Sequence, residues 1–211
     1  MAVREHPAPL PSIWGRTTIL IAAAALFTLA WPLLHWGNPA AFDENGAVEG
    51  LQSIYLAIAV GLFLWAARHP APLTRLPLAG IALFTFNLLI RETDVRGTWA
   101  APYLGPVFLH GRMFYYLAGL WTALVATTCV ALRPTAHDLI RWITGHGGIA
   151  MVTGCLLYVA GDVAEKHGFF PDAARSEALE ESFELWACFA IMLSGWLTLR
   201  RPDCGARLGA P

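Results

Sequence analysis

Apolar residues along the chain gather into six runs separated by short polar and charged stretches. The runs cover about 17–36, 47–67, 75–94, 112–132, 148–166 and 177–199, and each approaches the roughly 20 residues that a helix needs to cross a bilayer core. This pattern predicts an all-α fold, a polytopic membrane bundle of six transmembrane helices. No repeat of fixed period and no long linker divides it, so residues 1–211 are expected to form a single domain. The first run closes on Trp31-Pro32-Leu33-Leu34-His35-Trp36. Such an ending suits an interfacial anchor better than the small-residue cleavage site of a signal peptide.

Three of the runs are too short to span without taking in charge. The third has fifteen apolar-dominated residues, Leu76 to Ile90, so a full span draws in Arg91, Glu92 and Asp94. The fifth has fourteen, Gly148 to Gly161, and its completion requires Asp162 and Glu165. The sixth has fourteen uncharged residues from Trp186 to Leu199, which places Glu184, and with it Glu181 and Glu180, below the headgroups. Glu49 and Gln52 hold the matching position at the start of the second run.

Helical spacing sorts these groups onto faces, because residues three, four and seven apart lie in one stripe. Glu177, Glu180, Glu181 and Glu184 form one stripe, extended by Cys188. Tyr158, Asp162 and Glu165 form another, and Asn87, Arg91 and Asp94 a third. Lipid solvates none of them, so the stripes are expected to face one another. From the third stripe, the Arg91 guanidinium has the reach to meet a carboxylate on the second or sixth run as an internal counter-ion.

Composition agrees with the pattern. Apolar residues make up 56% of the chain and charged residues 14%, against roughly 25% charged in a soluble domain. A net charge of −1 leaves no basic face for nucleic acid. The cysteines, Cys129, Cys155, Cys188 and Cys204, are widely separated and read as small buried hydrophobes rather than a disulfide framework. The charges also divide by side. The N-terminus, second and fourth loops and C-terminus carry nine basic and three acidic residues, and the other side five basic and twelve acidic. Since Lys and Arg stay cytoplasmic, both termini are expected in the cytoplasm and the acidic end outside, across the inner (plasma) membrane.

Candidate chemistry therefore concentrates at the acidic end. Glu49, Glu92, Asp94, Asp162, Glu165, Glu181 and Glu184 are the candidate catalytic carboxylates, with Arg91 and Arg112 as compensating charges. Carboxylates packed in a low dielectric cannot all remain ionised unless cations or protons compensate them. The dipole of the sixth helix accounts for an acid at its start, such as Glu177. It disfavours Asp162 and Glu165 at the end of the fifth. His35, His110 and His167 fall on the same side, and imidazole with carboxylate suits zinc, iron or manganese. The expected ligands are Glu49, His110, Asp162, Glu165 and Glu184. The apolar loop from Gly97 to Gly111, with Trp99, Tyr103 and Phe108, is suited to fold over this end as a lid.

Other constellations are missing. The sequence has no Glu-x-x-His or His-Glu-x-x-His, no glycine-rich phosphate loop and no Gly-x-Ser-x-Gly elbow. Neither nucleotide nor haem is expected. Carboxylates around a metal-bound water would suit hydrolysis or hydroxylation of a lipid-like substrate entering from the outer leaflet. The competing expectation is an accessory or assembly subunit whose polar stripes mate with a partner membrane subunit. A cation- or proton-coupled transporter fits less well, because carriers place their sites near the midplane on broken helices.

Overall fold

The computed structural model describes residues 11–38, 41–42, 46–68, 75–93, 101–103, 121, 139–167, 170 and 172–200. Among them the regular structure is helical. The helices are α1 (Pro11–His35), α2 (Ala47–Arg68), α3 (Arg75–Glu92), α4 (His146–His167) and α5 (Ala173–Arg200), and a helical turn at 139–143 leads into α4. Five of the six apolar runs thus coincide with helices, and the run at 112–132 lies outside the described residues. The one described residue within it, Trp121, packs edge-on against Phe84 of α3, with ring centroids 5.9 Å apart.

Helix ends follow local chemistry rather than hydropathy. The α5 helix begins four residues before the apolar pattern predicts because Asp172 caps it: its Oδ1 accepts a hydrogen bond from the Ala174 N–H at 3.2 Å. Pro11 opens α1, where the missing N–H removes nothing a first helical turn would use.

Four helical stretches are long and apolar enough to cross a membrane: Thr17–His35, Ala47–Arg68, His146–Ala164 and Ala174–Arg200. By length and composition the chain is a helical membrane protein. The 18 residues of α3 rise about 27 Å, close to a bilayer core, but they include Arg75, Arg91 and Glu92. With only 18 residues, α3 has no stretch of spanning length that leaves these charges out, unlike the longer helices.

The bundle is organised around α5, of whose apolar stretch 56% is buried, against 11% for α1. Helices α2 and α4 both pack along α5, and α3 packs on α2. Leu56, Phe63, Leu78, Leu185 and Ile191 meet in the core with no exposed surface. The outer helix α1 is fastened by polar contacts. Trp186 Nε1 donates to the Thr28 carbonyl at 3.0 Å, and the Thr28 hydroxyl shares a hydrogen bond with Tyr55 at 2.7 Å.

A seam of glycines sets how closely α4 lies on α5. Gly147, Gly154 and Gly161 are seven residues apart and fall on one helix face. A Cβ at Gly147 would lie 2.7 Å from Thr198 Oγ1, one at Gly154 2.7 Å from Ile191 Cγ1 and 3.0 Å from the Ala187 carbonyl, and one at Gly161 3.2 Å from Glu184 Cγ. Their α5 neighbours, Thr198, Ile191 and Glu184, also step by seven. In lipid, where apolar burial does not drive helices together, such close backbone approach is a main source of association. Hydrogen bonds finish the seam away from the acids: Ser194 Oγ donates to the Gly147 carbonyl at 2.7 Å, and Trp142 Nε1 to Thr198 Oγ1 at 3.0 Å.

Candidate functional site

Where α2 begins, α3 and α4 end and α5 enters the bundle, the structure gathers polar groups from all four helices. The last glycine of the seam admits Glu184 against α4. Glu184 is 3% exposed and Glu92, from the final turn of α3, 7%. Arg91 Nη2 donates to Glu184 Oε1 at 2.8 Å, and its Nε lies 3.5 Å from Glu92 Oε1. The Tyr158 hydroxyl of α4 donates to the same Glu92 oxygen, while the Arg91 guanidinium stands 4.9 Å over the Tyr158 ring. One cation therefore bridges two buried carboxylates, backed by the negative face of an aromatic ring.

A second pairing lies beside the first. Gln52 of α2 is fully buried. Its Nε2 donates to Glu181 Oε2 at 2.9 Å and to the Glu181 carbonyl at 3.3 Å. Both acceptors require a donor, so the orientation of this amide is fixed. Its Oε1 is buried and accepts no hydrogen bond among the described residues. Glu49, Glu92 and Glu180 lie close enough to Glu181 to act on its charge. Ser53 and Thr93 share a hydrogen bond of 3.2 Å that ties the start of α2 to the end of α3.

The sequence-derived candidates separate in this geometry. Arg91, Glu92, Glu181 and Glu184 come together, with Glu49 nearby. The second stripe splits. Tyr158 turns into the cluster, whereas Asp162 pairs with Lys166 of its own helix at 2.6 Å in an exposed contact. Lys166 thus supplies what the helix dipole denies Asp162 at a C-terminus. Glu177 is exposed, as a solvated first-turn acid should be. Asp94, His110, Arg112 and the Glu165 side chain lie outside the described residues, as does most of the loop from Gly97 to Gly111.

The two described histidines among those expected at this end take structural positions. His35 stacks on Trp31 with ring centroids 3.9 Å apart and contacts the Trp31 carbonyl through Nδ1 at 3.0 Å. His167 contacts the Val163 carbonyl at 3.2 Å on an exposed surface. Among the described residues no three of His, Cys, Asp and Glu converge as ready metal ligands. Sequence reasoning missed Gln52 as the mate of Glu181 and Tyr158 as the donor to Glu92. Periodicity had put both on the right faces, but it carries no information on which atoms meet across an interface.

Compared with models of known protein families, with curated proteins and with solved structures, the chain matches none. Fold and cluster alone define its class: a helical membrane protein with a buried, carboxylate-rich polar cluster at one end of its bundle.

Proposed function

We propose that this chain is an inner-membrane protein of six transmembrane helices, with both termini in the cytoplasm, whose outward-facing acidic end binds a metal ion or other cation. The observation that carries this reading is the charge balance of the buried cluster. Among the described residues Arg91 pairs with Glu184 and Glu92, so two buried carboxylates share one guanidinium, and the neighbouring Glu181 is held by the uncharged amide of Gln52. Buried charge is costly unless it is paired, so a cluster with surplus carboxylates is completed by protons or by a bound cation. The placement of α3 and of 112–132 as spans rests on their apolar length, and the orientation on the arginine distribution.

Two measurements test this reading. In a cysteine-free background, single cysteines at Asn45, Gly97 and Pro171 should react with an impermeant thiol reagent applied from outside, and those at Ala71 and Thr135 should not. The reverse pattern would put the acidic end in the cytoplasm. Elemental analysis and calorimetry on the purified protein should find about one cation per chain, lost in Glu181→Gln/Glu184→Gln. A stoichiometric partner chain with no cation would replace this reading with that of an accessory subunit.

A further inference from the structure

The acidic cluster contains one group that its own pairings leave unsatisfied. The Gln52 side chain is fully buried at the junction of α2 and α5, and both donors of its amide are used by Glu181. Its carbonyl oxygen is buried and accepts no hydrogen bond among the described residues; the same amide touches Glu181 through Nε2, and Glu49 lies one turn earlier on the same face of α2. A buried amide oxygen without a donor is rare, and it calls for an ion, a water or a strained role. Ionised carboxylates offer it no proton. A cation satisfies this oxygen and the neighbouring carboxylates together.

Resting on the cation-binding reading above, we propose that Gln52 Oε1, with the carboxylates of Glu181 and Glu49, forms the seat of a hard divalent cation held by oxygen ligands. Amide and carboxylate oxygens suit calcium, magnesium or manganese. Zinc and iron sites recruit imidazole or thiolate, and the described histidines on this side, His35 and His167, contact backbone carbonyls of their own helices. Arg91 does not compete for this seat, because its guanidinium is directed to Glu184 and Glu92. Gln52 contributes binding without charge. It also holds Glu181 in place through Nε2 before the ion arrives, which reduces the ordering needed on binding.

The test is a titration of the purified full chain in detergent with Mn²⁺ alone, followed by electron paramagnetic resonance. Ca²⁺ and Zn²⁺ are then added as competitors. The expected result is about one Mn²⁺ per chain, displaced by Ca²⁺ more readily than by Zn²⁺. Binding should be weakened at least about tenfold in Gln52→Leu. In Gln52→Glu two carboxylates meet without a donor between them, so its thermal stability should depend on Mn²⁺ more steeply than that of the parent protein. This variant decides the matter if Gln52→Leu does not fold. Unchanged Mn²⁺ affinity in Gln52→Leu, an unchanged Mn²⁺ response in Gln52→Glu, or preferential displacement by Zn²⁺ would overturn the proposed seat while leaving a cation site elsewhere in the cluster standing. Absence of any bound ion in the parent protein would remove both the seat and the broader reading.

Discussion

Replacing Arg91 with alanine is expected to lower the stability of the protein in detergent by about 2 kcal/mol, and a second change, Glu184→Gln, should recover most of that loss. Breaking a fully buried ion pair costs about 3–5 kcal/mol and a surface pair under about 1. Arg91 stands between these limits. Its own side chain is 49% exposed, but that of Glu184 is only 4% exposed, so the penalty falls mainly on the acid left behind. Glu184 has two ways to limit that penalty, by taking up a proton or by losing its charge to mutation, and the Gln variant imposes the second. Arg91→Lys should recover only part of the loss, since an ammonium reproduces neither the bridging geometry to Glu92 nor the stacking over Tyr158. Equilibrium unfolding of the single and double variants provides the measurement. A loss under about 1 kcal/mol for Arg91→Ala, with no recovery in the double variant, would show that the acids are solvated and the cluster does not act as a unit.

The second large effect is steric. Gly154→Leu should destabilise the bundle by at least about 3 kcal/mol, because an added side chain meets Ile191 Cγ1 and the Ala187 carbonyl at the tightest part of the seam. Ile191 sits in the core with no exposed surface, so it has nowhere to move, and the clash must part the helices. The same substitution at Gly61 makes a matched control. Among the described residues no atom lies within 4 Å of a Cβ built there, and leucine is about 1 kcal/mol more favourable than glycine inside a helix. Gly61→Leu should therefore be neutral or stabilising. Equal losses at the two positions, read from thermal unfolding in the same detergent, would mean that the seam does not set the packing of α4 on α5.

How far these features were legible in the sequence depends on which property each one uses. Apolar run length located α2, α3 and α4 to within a few residues, because the bilayer sets the length a span needs, but α1 begins at Pro11, six residues before its run. It also failed at the start of α5, where a single capping acid, Asp172, prevailed over hydropathy. The reach of Arg91 towards a carboxylate on another helix was also legible, since a lone base among buried acids has few places to go. The mates of Glu92 and Glu181 were not, because they depend on the rotation and axial shift of one helix against its neighbour. Residues 147, 154 and 161 did carry part of that information. A seven-residue glycine spacing marks the face on which α4 lies closest to another helix, and it would have set the rotation that carries Tyr158 inward and leaves Asp162 outside.

The position of Glu181 and Glu184 in α5 has a bearing on how the protein is made. An acid near the bilayer resists transfer from the translocon into lipid by up to about 3 kcal/mol, and α5 carries several in its first turns. Among the described residues, the groups that contact Glu181 and Glu184 from other helices belong to earlier parts of the chain: Gln52 of α2, Arg91 of α3 and the glycine face of α4. When α5 leaves the ribosome, its counter-charges and its docking surface have already been synthesised. Insertion of α5 is therefore expected to depend on the earlier helices, and removing α2 or α3 should lower the share of chains in which α5 enters the membrane.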